Sequence, residues 1–135
     1  MAEGGHDFWQ SFQLRPVSDR FLCAGLQFST HATRHHAPGS SFALQLPGIF
    51  FYTGDTRPVP ELLHHHSEPT EVIFHDCGLI ANPSHTGVDD LKREYRSDLR
   101  QRMVLYHYAD ATAANTIRQQ GYRVADPGEA FVLKS

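Results

Sequence analysis

Cysteine is scarce in this chain: only Cys23 and Cys77 occur among 135 residues, far apart and without a Cys-x-x-Cys spacing. That excludes a disulfide-stapled scaffold and a zinc ribbon. Long apolar runs are missing too, since no segment approaches the roughly 18 consecutive apolar residues that a membrane-spanning helix needs. Positive charge is not in excess. Lys and Arg total 12 against 15 Asp and Glu, a formal net charge of −3, so no broad basic footprint for nucleic acid exists. Residues 1–9 (MAEGGHDFW) lack the basic stretch and apolar run of a secretory signal. A reducing cytoplasm is the expected location. The only low-complexity feature is His64-His65-His66, and there is no internal repeat.

Histidine, by contrast, is abundant, with ten in the chain. The most informative stretch is residues 49–55 (IFFYTGD), a run of large β-prone residues that halts on Gly54 and Asp55. A carboxylate just past the end of a buried strand is well placed for a site in an open α/β structure. Two further runs end in the same way, VIFHD at 72–76 and MVLYH at 103–107. Three strands would therefore deliver Asp55, His75, Asp76 and His107 to one sheet edge. Imidazoles and carboxylates gathered there point to a metal-assisted hydrolase.

The remaining sequence outlines one α/β (α+β) domain, sized for a single core. Residues 1–20 read as an irregular arm and 21–30 (FLCAGLQFST) as a strand, followed by a polar loop at 33–39. SFALQL at 41–46 alternates with period two, placing Phe42, Leu44 and Leu46 on one face. Pro47-Gly48 turns this strand into a hairpin with 49–52, and residues 56–69 form a loop or short helix. Val88, Leu91, Tyr95, Leu99 and Arg102 keep helical spacing, with Asp89 and Asp90 favourable in the first turn. Asp110 can cap a helix that Gly121 follows. Residues 122–125 and 130–133 are expected to close the domain as a hairpin around Asp126-Pro127-Gly128.

Five segments in this order resemble the C-terminal half of a metallo-β-lactamase-superfamily domain, in its phosphodiesterase branch of tRNA 3′-end endoribonucleases and cyclic-nucleotide phosphodiesterases. They are HAPGS with the following SFALQL, FYTGDTR, IFHDCGL with SHTGV, VLYHY, and GYRVADPGEAFVL, spanning about residues 22–133. The resemblance implies half of an αββα sandwich, one mixed sheet with helices on one face. It also implies a metal site in which His36 serves one ion, His107 the other and Asp55 bridges both. Zn2+ or Mn2+ would be the ion. His85 would be the catalytic histidine that protonates a leaving oxygen, with Asp76 orienting it. An imidazole suits that role because its proton moves near neutral pH. The family's principal signature, His-x-His-x-Asp-His, occurs nowhere in the chain.

Several histidines compete for these roles. His35 could replace its neighbour His36, although position before the Pro-Gly favours His36. His75 points away from Asp76 along the strand and suits packing. His64 to His66 cannot all face one ion and read as a surface tract. The series Lys92, Arg93, Arg96, Arg100 and Arg102, interleaved with acids, reads as a solvated face.

Catalytic zinc normally takes about three protein ligands plus water, whereas the resemblance supplies each ion with only two here. The chain alone should then bind metal weakly and hydrolyse little. Half a sandwich would also expose a sheet face carrying Phe42, Leu44, Phe50 and Phe74, an apolar surface that calls for a partner. Expected partners are a second copy of the chain or a complementary N-terminal-half polypeptide, acting on a phosphodiester or nucleotide substrate. The competing reading is a non-catalytic dimeric module that binds a nucleotide or a protein.

Overall fold

The apolar runs of the sequence become seven strands of one mixed sheet, seen in a computed structural model that describes residues 11–133. Residues 1–10, half of the expected arm, lie outside the described residues. The strands are β1 (Arg20–Cys23), β2 (Leu26–Ala32), β3 (Phe42–Leu46), β4 (Phe50–Tyr52), β5 (Val72–Asp76), β6 (Met103–Tyr106) and β7 (Arg123–Val124). They lie side by side in chain order. The first four run antiparallel, joined by tight turns, and β4 to β7 run parallel.

Parallel strands need crossovers, and these hold helices α1 (Pro60–His66), α2 (Val88–Glu94), α3 (Ser97–Arg100) and α4 (Ala111–Gln119). Because the strand order advances in one direction, right-handed crossovers put these four helices on the same face. The core lies there: Ala43, Phe51, Ile73, Met103 and Leu105 from the sheet meet Leu63, Leu91, Leu99, Ala114 and Ile117 from the helices. The Asp110 carboxylate caps α4 by accepting from the Ala113 N–H at 2.8 Å.

On the other face Phe42 is 53% and Tyr52 40% exposed. Leu44, Phe50, Phe74 and Tyr106 are half-buried beside them. The register places these side chains together, with Leu44 opposite Tyr52 and Leu46 opposite Phe50. Aromatic contacts run across the face from Phe28 to Phe50 and on to Phe74, with ring centroids 6.5 Å apart at both steps. Among the helices given above none covers this apolar face, which half a sandwich would leave open.

Three expectations fail on local chemistry. Residues 21–30 are not one strand but the hairpin β1–β2, because Ala24 (φ 50°) and Gly25 (φ 79°) both turn left-handed, the geometry of a type I′ turn. Helical spacing over 88–102 is interrupted at Tyr95 (φ −112°, ψ 138°), whose extended backbone ends α2. The Tyr95 ring is thereby carried to Val59 and His75. The closing hairpin does not form: β7 pairs parallel with β6, and no strand follows among the described residues. Phe131 instead packs edge-on against Phe74, with ring centroids 5.0 Å apart.

Candidate metal centre

The parallel strands β4, β5 and β6 all end at one sheet edge, so the residues that follow them are neighbours in space. After β4 the chain turns at Gly54 (φ 62°), where a Cβ would stand 2.9 Å from the Phe42 carbonyl oxygen. The turn presents Asp55. At the end of β5 sits Asp76, fully buried. Just after β6, His107 adopts φ 70°, a left-handed conformation that is rare for a side chain with Cβ. Such backbone strain concentrates at functional sites. His107 Nε2 lies 3.5 Å from Asp55 Oδ2, and its Nδ1 lies 3.8 Å from Asp76 Oδ1.

His85 arrives on the loop between β5 and α2. Asn82 Oδ1 shapes this loop by accepting from the backbone N–H groups of Ser84 at 2.8 Å and His85 at 3.0 Å. His85 Nδ1 and Asp76 Oδ2 share a hydrogen bond of 2.6 Å, and the same oxygen accepts from the Thr56 N–H at 2.8 Å. The His85 ring stacks on His107, with centroids 4.3 Å apart, and meets His35 edge-on at 4.7 Å. His35 Nδ1 lies 3.2 Å from the Ser84 carbonyl oxygen. His36 packs on His35 with ring centroids 3.8 Å apart, and its Nδ1 lies 3.4 Å from Ser84 Oγ.

Two overlapping donor sets result: His35, Asp55 and His85, and Asp76, His85 and His107. In each set the donor atoms all lie within 4.8 Å of one another. Imidazole nitrogens with carboxylate oxygens are compatible with a divalent metal. A further observation fits an ion. Asp76 Oδ1 is buried and has no hydrogen-bond partner among the described residues, which is unusual for a carboxylate oxygen.

Burial dominates the electrostatics. It pushes the Asp76 carboxyl above the ordinary carboxylate range, against the opposing pull of the Thr56 N–H and of His85 and His107. Burial, assisted by Asp76 and Asp90, pushes the adjacent Cys77 thiol up to about 12. Cys77 is thus no nucleophile at neutral pH.

The family model for anti-Pycsar protein Apyc1 matches residues 2–131. The chain belongs to the anti-Pycsar Apyc1 family. The Apyc1-family chain is also similar to a solved structure, the metallo-beta-lactamase fold protein YhfI from Bacillus subtilis, with TM-score 0.58 at 12% identity. That likeness covers 78% of this chain but 48% of the other, so the chain spans about half the length of the structure it matches. At such identity the likeness establishes the fold, a mixed-sheet α+β arrangement of metallo-β-lactamase type. No curated protein matches the chain.

Of the residues singled out in the sequence, the Apyc1-family fold brings Asp55, Asp76, His85 and His107 to one place, with both His35 and His36 at its rim. His75 is elsewhere. It is fully buried on the helix side, where its Nδ1 lies 2.7 Å from the Asp76 carbonyl oxygen and its Nε2 2.7 Å from the Tyr95 hydroxyl. Burial, only partly offset by the bond to that carbonyl, lowers its pKa to about 4 and keeps the ring neutral. His64, His65 and His66 lie exposed on α1, away from the donor sets. Among the described residues no helix is long and apolar enough to cross a membrane.

Sequence reasoning passed over Thr56 and Arg57, which tie the segment after β4 to its neighbours. The Thr56 N–H serves Asp76, Thr86 Oγ1 donates to the Thr56 carbonyl at 2.8 Å, and Arg57 reaches the His85 loop. A signal was present in the TGDTR run, where the polar residues continue past Asp55.

Proposed function

We propose that the chain carries half of a metal-dependent phosphodiesterase site, with Zn2+ or Mn2+ held by His36 or its neighbour His35, by Asp55 and by His107. The observation carrying this reading is the convergence of those side chains with Asp76 and His85 at the ends of β4, β5 and β6. The fold and the family both fit a metal-dependent hydrolase. The family's name also fits action against a nucleotide signal. A divalent ion there would supply Lewis acidity and lower the pKa of water enough to make it a nucleophile at neutral pH.

The chain's own residues divide the remaining work. Asp55, with two carboxylate oxygens, is suited to serve two cations at once. Asp76 holds the His85 ring through Nδ1, which leaves Nε2 to exchange a proton with the leaving oxygen of a phosphodiester. A cleft of about 470 Å³ opens beside both imidazoles, lined by Leu79, Ile80, Tyr108 and Ala109. It offers room for the apolar part of a substrate.

The open sheet face supports a further part of the reading. We infer that it packs against the complementary half of a metallo-β-lactamase fold, whichever polypeptide supplies that half, and that this half brings the missing ligands. The reading is tested by measuring hydrolysis of bis(4-nitrophenyl) phosphate by the chain combined with such a half, with and without chelator. Metal-dependent turnover that Asp55→Ala abolishes is expected. Turnover indifferent to chelator and to that substitution would overturn the mechanism. A symmetric dimer of the chain that seals the aromatic face and leaves no place for a second half would favour a non-catalytic binding module.

A further inference from the structure

We propose that Arg57 is a positioning residue for His85, a clamp that holds the loop carrying the imidazole at the distance Asp76 requires. The proposal rests on the reading of the site given above, but its geometry stands independently of any metal. Arg57 Nη1 donates to the carbonyl oxygens of Asn82 at 3.1 Å and of His85 itself at 2.9 Å, and to Asp90 Oδ2 at 3.1 Å. Its guanidinium therefore grips both ends of the turn that presents the ring.

Asp90 makes the grip rigid. It is buried, 3% exposed, at the first turn of α2. Its Oδ2 accepts from the Gly87 N–H at 3.0 Å, and its Oδ1 pairs with Arg93. Burial alone would raise its pKa, but the Gly87 N–H, Arg93 and Arg57 outweigh that and hold it below the usual carboxylate range. The clamp thus ends on a fixed anion, not on solvent.

The backbone of the same segment reaches the other histidines. The Arg57 N–H donates to the Arg34 carbonyl at 2.8 Å, and the Arg34 N–H donates to Thr56 Oγ1 at 3.0 Å. Arg34 immediately precedes His35 and His36. Residues 56 and 57 therefore join the three segments that bear His35, Asp55 and His85. All three acceptors are met by the one terminal nitrogen Nη1, whose two hydrogens they share.

The test uses the metal-free chain labelled with 15N-histidine, with His85 ring-nitrogen shifts recorded at fixed pH. The parent should show one fixed state with Nδ1 protonated. Arg57→Gln should give averaged, broadened signals like those of a free histidine, and Arg57→Lys should restore the parent pattern in part. Ile117→Ala, a core change on α4 that also costs stability, should leave the His85 signals in place. His85 signals that stay fixed in Arg57→Gln, or that move equally in Ile117→Ala, would overturn the proposal.

Titration with Zn2+ alone separates this inference from the reading beneath it. Because residues 56 and 57 also tie down the segments bearing His35 and Asp55, Arg57→Gln should weaken Zn2+ about 10–100-fold, as expected when a group that orients ligands is lost. Affinity within twofold of the parent would overturn that wider role. A parent that takes up no Zn2+ would count against the metallohydrolase reading, and the ring spectrum would still decide the clamp.

Discussion

Removing one oxygen atom from the core, by Tyr95→Phe, should unlock the junction between the helices and β5. The Tyr95 hydroxyl accepts from the Val59 N–H at 2.7 Å and meets His75 Nε2 at 2.7 Å. With His75 neutral and bonded through Nδ1, its Nε2 accepts the hydroxyl proton. Val59 and His75 are 2% and 0% exposed, so neither could turn to water. Each buried group left unsatisfied costs about 1–3 kcal/mol, giving a loss of roughly 2–6 kcal/mol for the pair. At about 3 °C per kcal/mol for a domain of this size, the melting temperature should fall by roughly 6–18 °C. Tyr122→Phe is the matched control. Its hydroxyl is buried with no hydrogen-bond partner among the described residues, so its removal should leave stability unchanged or raise it by about 1 kcal/mol. Calorimetric melts of the two variants make the comparison. Equal losses would refute the hydrogen-bond argument, because the two substitutions remove the same atom.

Other expectations are simpler. Gly54→Ala places a Cβ 2.9 Å from a backbone oxygen at φ 62°, and should cost about 1–3 kcal/mol by thermal melt. Phe42→Asp should leave stability within about 0.5 kcal/mol because the ring is already exposed, yet weaken association with a complementary half as read by light scattering. If the chain joined to a complementary half hydrolyses phosphodiesters as proposed, His64→Ala should leave turnover within about twofold of the parent, since surface changes away from a site seldom matter. Asp55→Ala should remove turnover.

The strands that build the site were legible because each is a dense apolar run ending in polar residues. Residues 49–55 became β4 and its turn, and 72–76 became β5 within the same bounds. Period-two alternation made Phe42, Leu44 and Leu46 legible as one face, and the resemblance to half a sandwich added Phe50 and Phe74. What escaped depends on single side chains acting at a distance. Ala24 gave no sign that it would enter the left-handed region beside Gly25, so a hairpin looked like one strand. Tyr95 fits a helical stripe by spacing, but its hydroxyl serves Val59 and His75 and its backbone leaves the helix. The apparent hairpin around Asp126-Pro127-Gly128 failed because β7 found β6 as a parallel neighbour. Position before the Pro-Gly favoured His36 over His35, and the fold puts both at the rim, with His35 in a donor set. Arg57 was invisible for the same reason as Tyr95. Its partners lie 25 to 33 positions away.

A half-site for a metal at the ends of β4, β5 and β6 is tested most directly by Zn2+ titration of the chain with His64, His65 and His66 all replaced by alanine, following histidine ring signals by NMR. Weak binding should move the signals of His35 or His36, His85 and His107, leave His75 untouched, and disappear in Asp55→Ala. Binding that persists in Asp55→Ala, or that leaves His85 and His107 unmoved, would contradict it.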